Sequence, residues 1–162
     1  MLVFDSSTII LLARIELLDA LVNSYQGKIV IPEAVESETT MKNTFDALLI
    51  KKRIEEGKIK VMDAHDKMIE TIMKDFNINQ GESEAIFLAL KNKGSILATD
   101  DKNAINACKL LQIPFTTAIG ILLRVKEKNL LTKEDASLKL VQLIEYGRYK
   151  KEIINDAKRR LG

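Results

Sequence analysis

Short apolar runs, each followed by a stretch with helical spacing, limit most strongly what this chain can fold into. Leu2-Val3-Phe4, Lys28-Ile29-Val30-Ile31, Ile59-Lys60-Val61-Met62 and Ser95-Ile96-Leu97-Ala98-Thr99 are too short to be helices. They read as buried strands. Between them lie helical patterns: Ile9 to Leu12 after the hydroxyl-rich Ser6-Ser7-Thr8, a second stripe of Leu17, Leu18, Leu21 and Val22, and a helix starting near Pro32. Phe45, Leu48, Leu49 and Ile54 recur at helical spacing, and Gly57 closes that helix. Ile69, Ile72 and Met73 suggest another helix, and Gln80 to Lys93 a strong one ended by Gly94. The order β, α, β, α, α, β is that of an α/β protein with helices on both faces of a parallel sheet.

After a helix over 102–111, Ile113-Pro114-Phe115-Thr116 reads as a last strand, whose proline points to a sheet edge or a strand start. The rest is helical: 118–128, 132–146 and 150–160, with a capping signature at Thr132 and Asp135. The expected architecture is three-layer α/β/α, with a central, mainly parallel sheet of about five short strands. The C-terminal helices, roughly 132–162, are expected to pack on it as part of a single domain spanning 1–162.

With 162 residues and 46% hydrophobic content the chain can bury a sizeable core. A net charge of +2 neither demands nor excludes a polyanionic partner. Cys108 is the only cysteine, which rules out an internal disulfide and a cysteine-built metal site; it reads as a small core residue, and the lone His65 as a surface or helix-start residue. There is no secretory leader pattern and no segment near the roughly 20 apolar residues of a membrane span. The expected location is cytoplasmic, without membrane association.

Two of the strands end on carboxylates: Asp5 follows the first, and Asp100 with Asp101 follows Ser95 to Thr99. Ligands of open α/β sheets bind outside the carboxyl ends of the strands, so acids distant in sequence can converge there. Each aspartate could also be a plain N-cap. Helical geometry adds two glutamates. In Gly81-Glu82-Ser83-Glu84-Ala85-Ile86, Glu82 shares a face with Ala85, Ile86, Ala89 and Leu90, whereas Glu84 shares one with Lys91; Glu82 is expected to point inward and Glu84 outward. In Pro32-Glu33-Ala34-Val35-Glu36-Ser37-Glu38, Glu38 lies on the face of Ala34 and Val35, and Glu36 reads as solvated. Acids from four elements are better explained by a shared cation than by separate caps. Carboxylates without histidine or cysteine suit one or two Mg²⁺ or Mn²⁺ ions, whose natural chemistry is phosphate-ester hydrolysis.

These pieces, in this order, resemble the PIN domain family of metal-dependent ribonucleases, which includes the VapC-type toxins of toxin–antitoxin pairs. The resemblance rests on Leu2-Val3-Phe4-Asp5-Ser6-Ser7, Ile31-Pro32-Glu33-Ala34-Val35-Glu36-Ser37-Glu38, Gly81-Glu82-Ser83-Glu84-Ala85-Ile86 and Leu97-Ala98-Thr99-Asp100-Asp101. It implies catalytic, metal-binding roles for Asp5, Glu38, Glu82 and Asp101, with Asp100 sharing or replacing the role of Asp101. Ser7 and Thr99 match supporting positions. Many relatives carry aspartate at the third acid; glutamate there, and the stretch from Thr117 to Leu131, resemble a branch with a Gly-Glu-x-Glu-Ala motif. The resemblance implies an RNA substrate, a small antitoxin partner and a homodimer.

RNA contacts are expected from the basic C-terminal part, Arg148, Lys150, Lys151, Lys158, Arg159 and Arg160, unless these are solvated helix ends. Aromatic content of 5% argues against an extensive base-stacking platform. Two rival readings remain. One is a PIN-like binding module without catalysis. The other is a phosphorylation-switched receiver, disfavoured because Pro114-Phe115-Thr116-Thr117 lacks the lysine it requires.

Overall fold

Leu2 and Phe4 pack into one apolar cluster and Val3, between them, into another, so the first strand is covered on both faces. The computed structural model describes residues 1–162. In chain order its elements are β1 (Leu2–Phe4), α1 (Ser6–Arg14), α2 (Leu18–Ser24), β2 (Ile29–Pro32), α3 (Glu33–Thr40), α4 (Phe45–Glu55), β3 (Lys60–Met62) and α5 (Lys67–Phe76). Then follow α6 (Gln80–Lys91), β4 (Ile96–Ala98), α7 (Lys102–Leu111), β5 (Phe115–Thr116), α8 (Ala118–Glu127), α9 (Lys133–Tyr146) and α10 (Lys151–Leu161).

The five strands form one sheet in the order β3-β2-β1-β4-β5, and all four pairings are parallel. β1 pairs with β2 through Leu2 and Ile29, and with β4 through Leu2 and Ile96, Val3 and Leu97, and Phe4 and Ala98. The chain first builds outward from β1 to β2 and β3, then crosses to the other side of β1 for β4 and β5. The switch point therefore lies between β1 and β4, where a crevice opens at the carboxyl ends of the strands. Asp5 and the Asp100–Asp101 pair flank it.

One face of the sheet carries the cluster of Leu2, Phe4, Ile29, Ile31 and Ala98, packed on residues of α1, α2, α4 and α8. Ala136, Leu140 and Leu143 of α9 and Ala157 and Leu161 of α10 join the same cluster. The other face carries Val3, Val30 and Leu97 against α5, α6 and α7. Pro114 precedes β5 at the sheet edge, where its missing N–H costs no ladder bond.

Caps set the helix starts. Asp5, Asp66, Asn79, Asp101, Thr117 and Thr132 each accept a hydrogen bond from the first turn of the helix that follows. Gly57 and Gly94 take φ of 72° and 83° just beyond α4 and α6, a conformation that glycine tolerates best. In α4 the apolar spacing is only half buried: Ala47 and Ile50 face the core, whereas Phe45 and Leu48 are exposed. No helix is long and apolar enough to cross a membrane.

Candidate metal and active site

Asp5 follows β1 directly and is 1% exposed. Its Oδ1 accepts the Thr8 amide at 2.9 Å and, more loosely, the Ser7 hydroxyl at 3.4 Å. Its Oδ2 is buried without any hydrogen-bond partner. Burial pushes this carboxyl up to about 6; the Thr99 hydroxyl and Thr8 oppose the rise, and the charge of Asp100 adds to it. The cap explains one oxygen and leaves the other unexplained.

Asp101 caps α7, with Oδ1 accepting the Ala104 amide at 2.8 Å, while its own amide donates to the Thr99 hydroxyl at 3.2 Å. Thr99 is fully buried and so fixes the turn that presents Asp101. Glu82 lies in the first turn of α6, in a reciprocal cap: its amide donates to Asn79 Oδ1 at 2.8 Å, and its Oε2 accepts the Asn79 amide at 3.0 Å. Burial pushes the Glu82 carboxyl up to about 7; the Asn79 amide opposes this, and the charges of Asp101, Asp5 and Glu38 reinforce it. Glu82 thus feels all three other predicted acids.

Glu38, in the last turn of α3, is exposed, and its Oε2 accepts the Ser6 hydroxyl at 2.6 Å. A Cβ at Gly81 would stand 2.8 Å from Glu38 Oε1 and 3.3 Å from Val35 Cγ2. The glycine of the Gly-Glu-x-Glu-Ala motif is therefore what lets α3 and α6 approach with Glu38 between them.

Asp100 is bonded differently. Its oxygens accept the Thr8 hydroxyl at 3.0 Å, the Ala118 amide at 3.1 and 3.3 Å, and the Tyr149 hydroxyl at 2.9 Å. Burial raises its pKa, and the same three donors hold it down. The adjacent aspartates have separate tasks: Asp101 starts α7, and Asp100 ties β4 to α1, α8 and the segment before α10.

Ser7, Glu82, Asp100 and Asp101 line a common cleft of about 490 Å³, together with Arg14 and Tyr146. Of the predicted acids, Glu82, Asp100 and Asp101 line the cleft, whereas Asp5 is buried behind it and Glu38 is not part of its lining. The three ligating side chains whose donor atoms all lie within 4.8 Å of one another are Glu33, Asp63 and His65, all exposed. His65 Nε2 lies 3.0 Å from Asp63 and 3.4 Å from Glu33, so its surface setting is as expected, with two acid neighbours. In the cleft, by contrast, like charges repel and each acid has an oxygen engaged by a cap or a serine.

The inward-and-outward reading of α6 needs correction. Glu84 is 4% exposed, not solvated, and accepts the Ala34 amide at 3.1 Å and Gln80 Nε2 at 2.8 Å. Glu82 is the more accessible of the two. The helix packs against the sheet on one side and α3, α5 and α7 around it, so it has no wet face beside Glu84. Its uninterrupted run Ala85-Ile86-Phe87-Leu88-Ala89-Leu90 was the available signal, since a helix apolar all round is a buried helix.

Sequence reasoning also passed over Ser6, Thr8, Gly81 and Tyr149, which position the acids, and Arg14 and Tyr146, which line the cleft. Of the C-terminal cations, Arg148, Lys150, Lys151 and Lys158 are exposed, Arg159 pairs with Asp156, and Arg160 with Glu127 at 2.9 Å. Cys108 is fully buried, and burial pushes its thiol up to about 12, an inert core residue.

A family model described as "DUF3368: PIN domain" matches residues 1–162. The chain belongs to the PIN domain family. No curated protein and no solved structure matches it. Membership gives this PIN domain a nuclease-type fold, of a family that typically binds divalent metal and RNA. Its own residues fit such an ion: the donors are all oxygens, and the buried Asp5 Oδ2, which makes no hydrogen bond, is an oxygen that a cation would satisfy.

Proposed function

We propose that this PIN domain is an endoribonuclease dependent on Mg²⁺ or Mn²⁺, with Asp5, Glu38, Glu82 and Asp101 as its catalytic, metal-holding acids. The observation that carries the reading is Asp5 Oδ2, buried without a hydrogen bond beneath a cleft lined by Glu82 and Asp101, with Asp101, Asp5 and Glu38 all pressing on Glu82. A carboxylate left so costs several kcal/mol. A bound cation offsets that cost, lowers the pKa of a water and neutralises charge on a phosphodiester.

The chain's own residues do the rest. Thr8 and Thr99 hold Asp5 and Asp101 at the ends of β1 and β4, and Ser6 holds Glu38 across from them. Glu82 keeps Oε2 in its cap, which leaves Oε1 as its oxygen for the ion or its bound water. Asp100, which accepts from Thr8, Ala118 and Tyr149, braces the site and also lines the cleft, where it is the further candidate ligand beside Asp101.

The test is a crystal soaked with Mn²⁺ together with an RNA cleavage assay. Anomalous signal against Asp5, Glu38, Glu82 and Asp101 and loss of cleavage in Asp5→Asn are expected. Full cleavage by that variant, or an ion bound at Glu33, Asp63 and His65 instead, sinks the assignment.

The wider reading is a toxin of a toxin–antitoxin pair, supported by the resemblance of the acid pattern to VapC-type proteins. Its partner would be a small antitoxin covering the cleft, and growth arrest on induced expression is the expected sign. A homodimer is supported by Met41, just past α3, and Phe45 and Leu48 on α4, exposed by 82%, 61% and 52%. Sedimentation of Phe45→Glu as a monomer beside a dimeric parent would bear that out.

A further inference from the structure

The acid cleft continues beyond the acids along one face of α1. Ser7, Ile10, Leu11 and Arg14 recur there at helical spacing and line it in turn. From Ser7 to Arg14 is seven helical steps, about 10 Å at 1.5 Å per residue. Across that far end stands Tyr146, the last residue of α9, with its ring centroid 6.0 Å from the Arg14 guanidinium carbon. The pairing is held from below, because Lys139 of α9 donates to the carbonyls of Ile15 at 2.7 Å and Glu16 at 3.3 Å where α1 ends.

Two properties distinguish this pair from ordinary packing. Tyr146 is 54% exposed, a large aromatic surface left open in a cleft. Arg14 is the one cation among the residues that line the cleft, and its side chain is 46% exposed. Its ion pair with Asp46 is long, 3.9 Å through Nε, which leaves both terminal nitrogens available. A polyanion entering a cleft of carboxylates needs a positive handhold away from them, and a planar fork is the group best suited to phosphate.

We infer that Arg14 and Tyr146 form the nucleotide-holding wall of this cleft, with the ring stacking one unpaired nucleobase and the guanidinium binding the adjoining phosphate. This rests on the reading that the cleft takes RNA. The wall acts on an unpaired base. A paired base keeps both faces inside its own stack and offers none to a tyrosine ring. One exposed ring in the cleft holds one base, consistent with a chain poor in aromatics.

The test uses labelled oligo(A) and a blunt RNA duplex of equal length, with binding followed by fluorescence anisotropy in Ca²⁺ and cleavage kinetics in Mn²⁺. Tyr146→Phe should bind oligo(A) as the parent does. Tyr146→Leu, which keeps apolar bulk, should bind it about tenfold more weakly, the loss expected for one stacked base. Arg14→Gln should weaken binding and reduce its salt dependence by about one counterion. Duplex binding should be insensitive to Tyr146→Leu, and in cleavage KM should rise while kcat holds. Parent-like binding of oligo(A) by both Tyr146→Leu and Arg14→Gln overturns the inference, as does a parent protein that does not bind oligo(A). If the variants lose binding but the parent never cleaves RNA, the nuclease reading fails and the inference stands. Cleavage by the parent with unchanged KM in both variants gives the reverse.

Discussion

The Tyr149 hydroxyl donates to Asp100 Oδ1 at 2.9 Å, joining the segment before the last helix to the end of the fourth strand, beside the acid cleft. Tyr149 is partly buried, and its pKa is raised by burial and by the Asp100 charge, so it remains a donor at any ordinary pH. This contact makes the C-terminal part a support of the site and not an appendage. Tyr149→Phe removes one donor to a largely buried carboxylate and little else. A loss of about 1.5–3 kcal/mol is expected in urea unfolding, the usual range for hydrogen bonds to charged groups. Unchanged stability would mean that the bond does not hold in solution.

Asp5 makes the metal-free protein sensitive to pH. Its carboxyl sits at about 6 in the fold against 3.8 as its ordinary value. The folded protein therefore keeps this proton more tightly, and the group's stabilising contribution is fully present below pH 3.8 and lost as pH rises through about 6. Above that, ionised Asp5 costs the fold on the order of 3 kcal/mol. Asp5→Asn should melt higher than the parent at pH 7.5 in EDTA, since each 1 kcal/mol shifts Tm by about 2–4 °C at this size. Adding Mn²⁺ should raise the parent's Tm and not the variant's. A parent already more stable than Asp5→Asn in EDTA would contradict the assignment of a buried, unsatisfied carboxylate.

Gly81 separates stability from function. In Gly81→Ala the new Cβ meets Glu38 Oε1 at 2.8 Å, the far end of a flexible side chain that can swing into solvent. Alanine favours the helix by up to about 1 kcal/mol, which offsets the close approach of the new Cβ to buried Val35 Cγ2 at 3.3 Å, so thermal stability should change by no more than about 1 kcal/mol. The displaced Glu38 should weaken Mn²⁺ binding by about tenfold in calorimetry, a loss comparable to that of disturbing a supporting contact in a metal site. Unaltered affinity would remove Glu38 from the set of metal ligands.

The fold was legible because strand and helix periods are backbone properties: the runs at Leu2, Ile29, Lys60 and Ile96 all became strands, and Pro114 marked the edge strand. Asp5 and Asp101 were legible because β-to-α turns put the residue after a strand at the sheet's carboxyl end. What stayed hidden depends on which surfaces meet in three dimensions. Nothing near Tyr149 in sequence says that it reaches Asp100, 49 residues earlier. Arg14 and Tyr146 likewise belong to helices that become neighbours only on folding. Glu38 was selected by helical face, but its hydrogen bond to Ser6 spans 32 residues.

Glu84 supplies the sharpest contrast with its neighbour Glu82. It is buried between Gln80 and the first turn of α3, where the Ala34 amide is one of the donors that the helix itself cannot satisfy. A carboxylate there accepts from two donors and also complements the positive end of α3. Glu84→Gln keeps the shape but turns an amide group toward a donor, so a loss of about 1–3 kcal/mol is expected in denaturant unfolding. Cleavage per folded molecule should be little changed, because Glu84 takes no part in the cleft. Glu82→Gln should do the opposite, sparing the fold and abolishing cleavage. If Glu84→Gln proves inactive while fully stable, the roles of these two glutamates are exchanged and the cleft has been placed on the wrong side of α6.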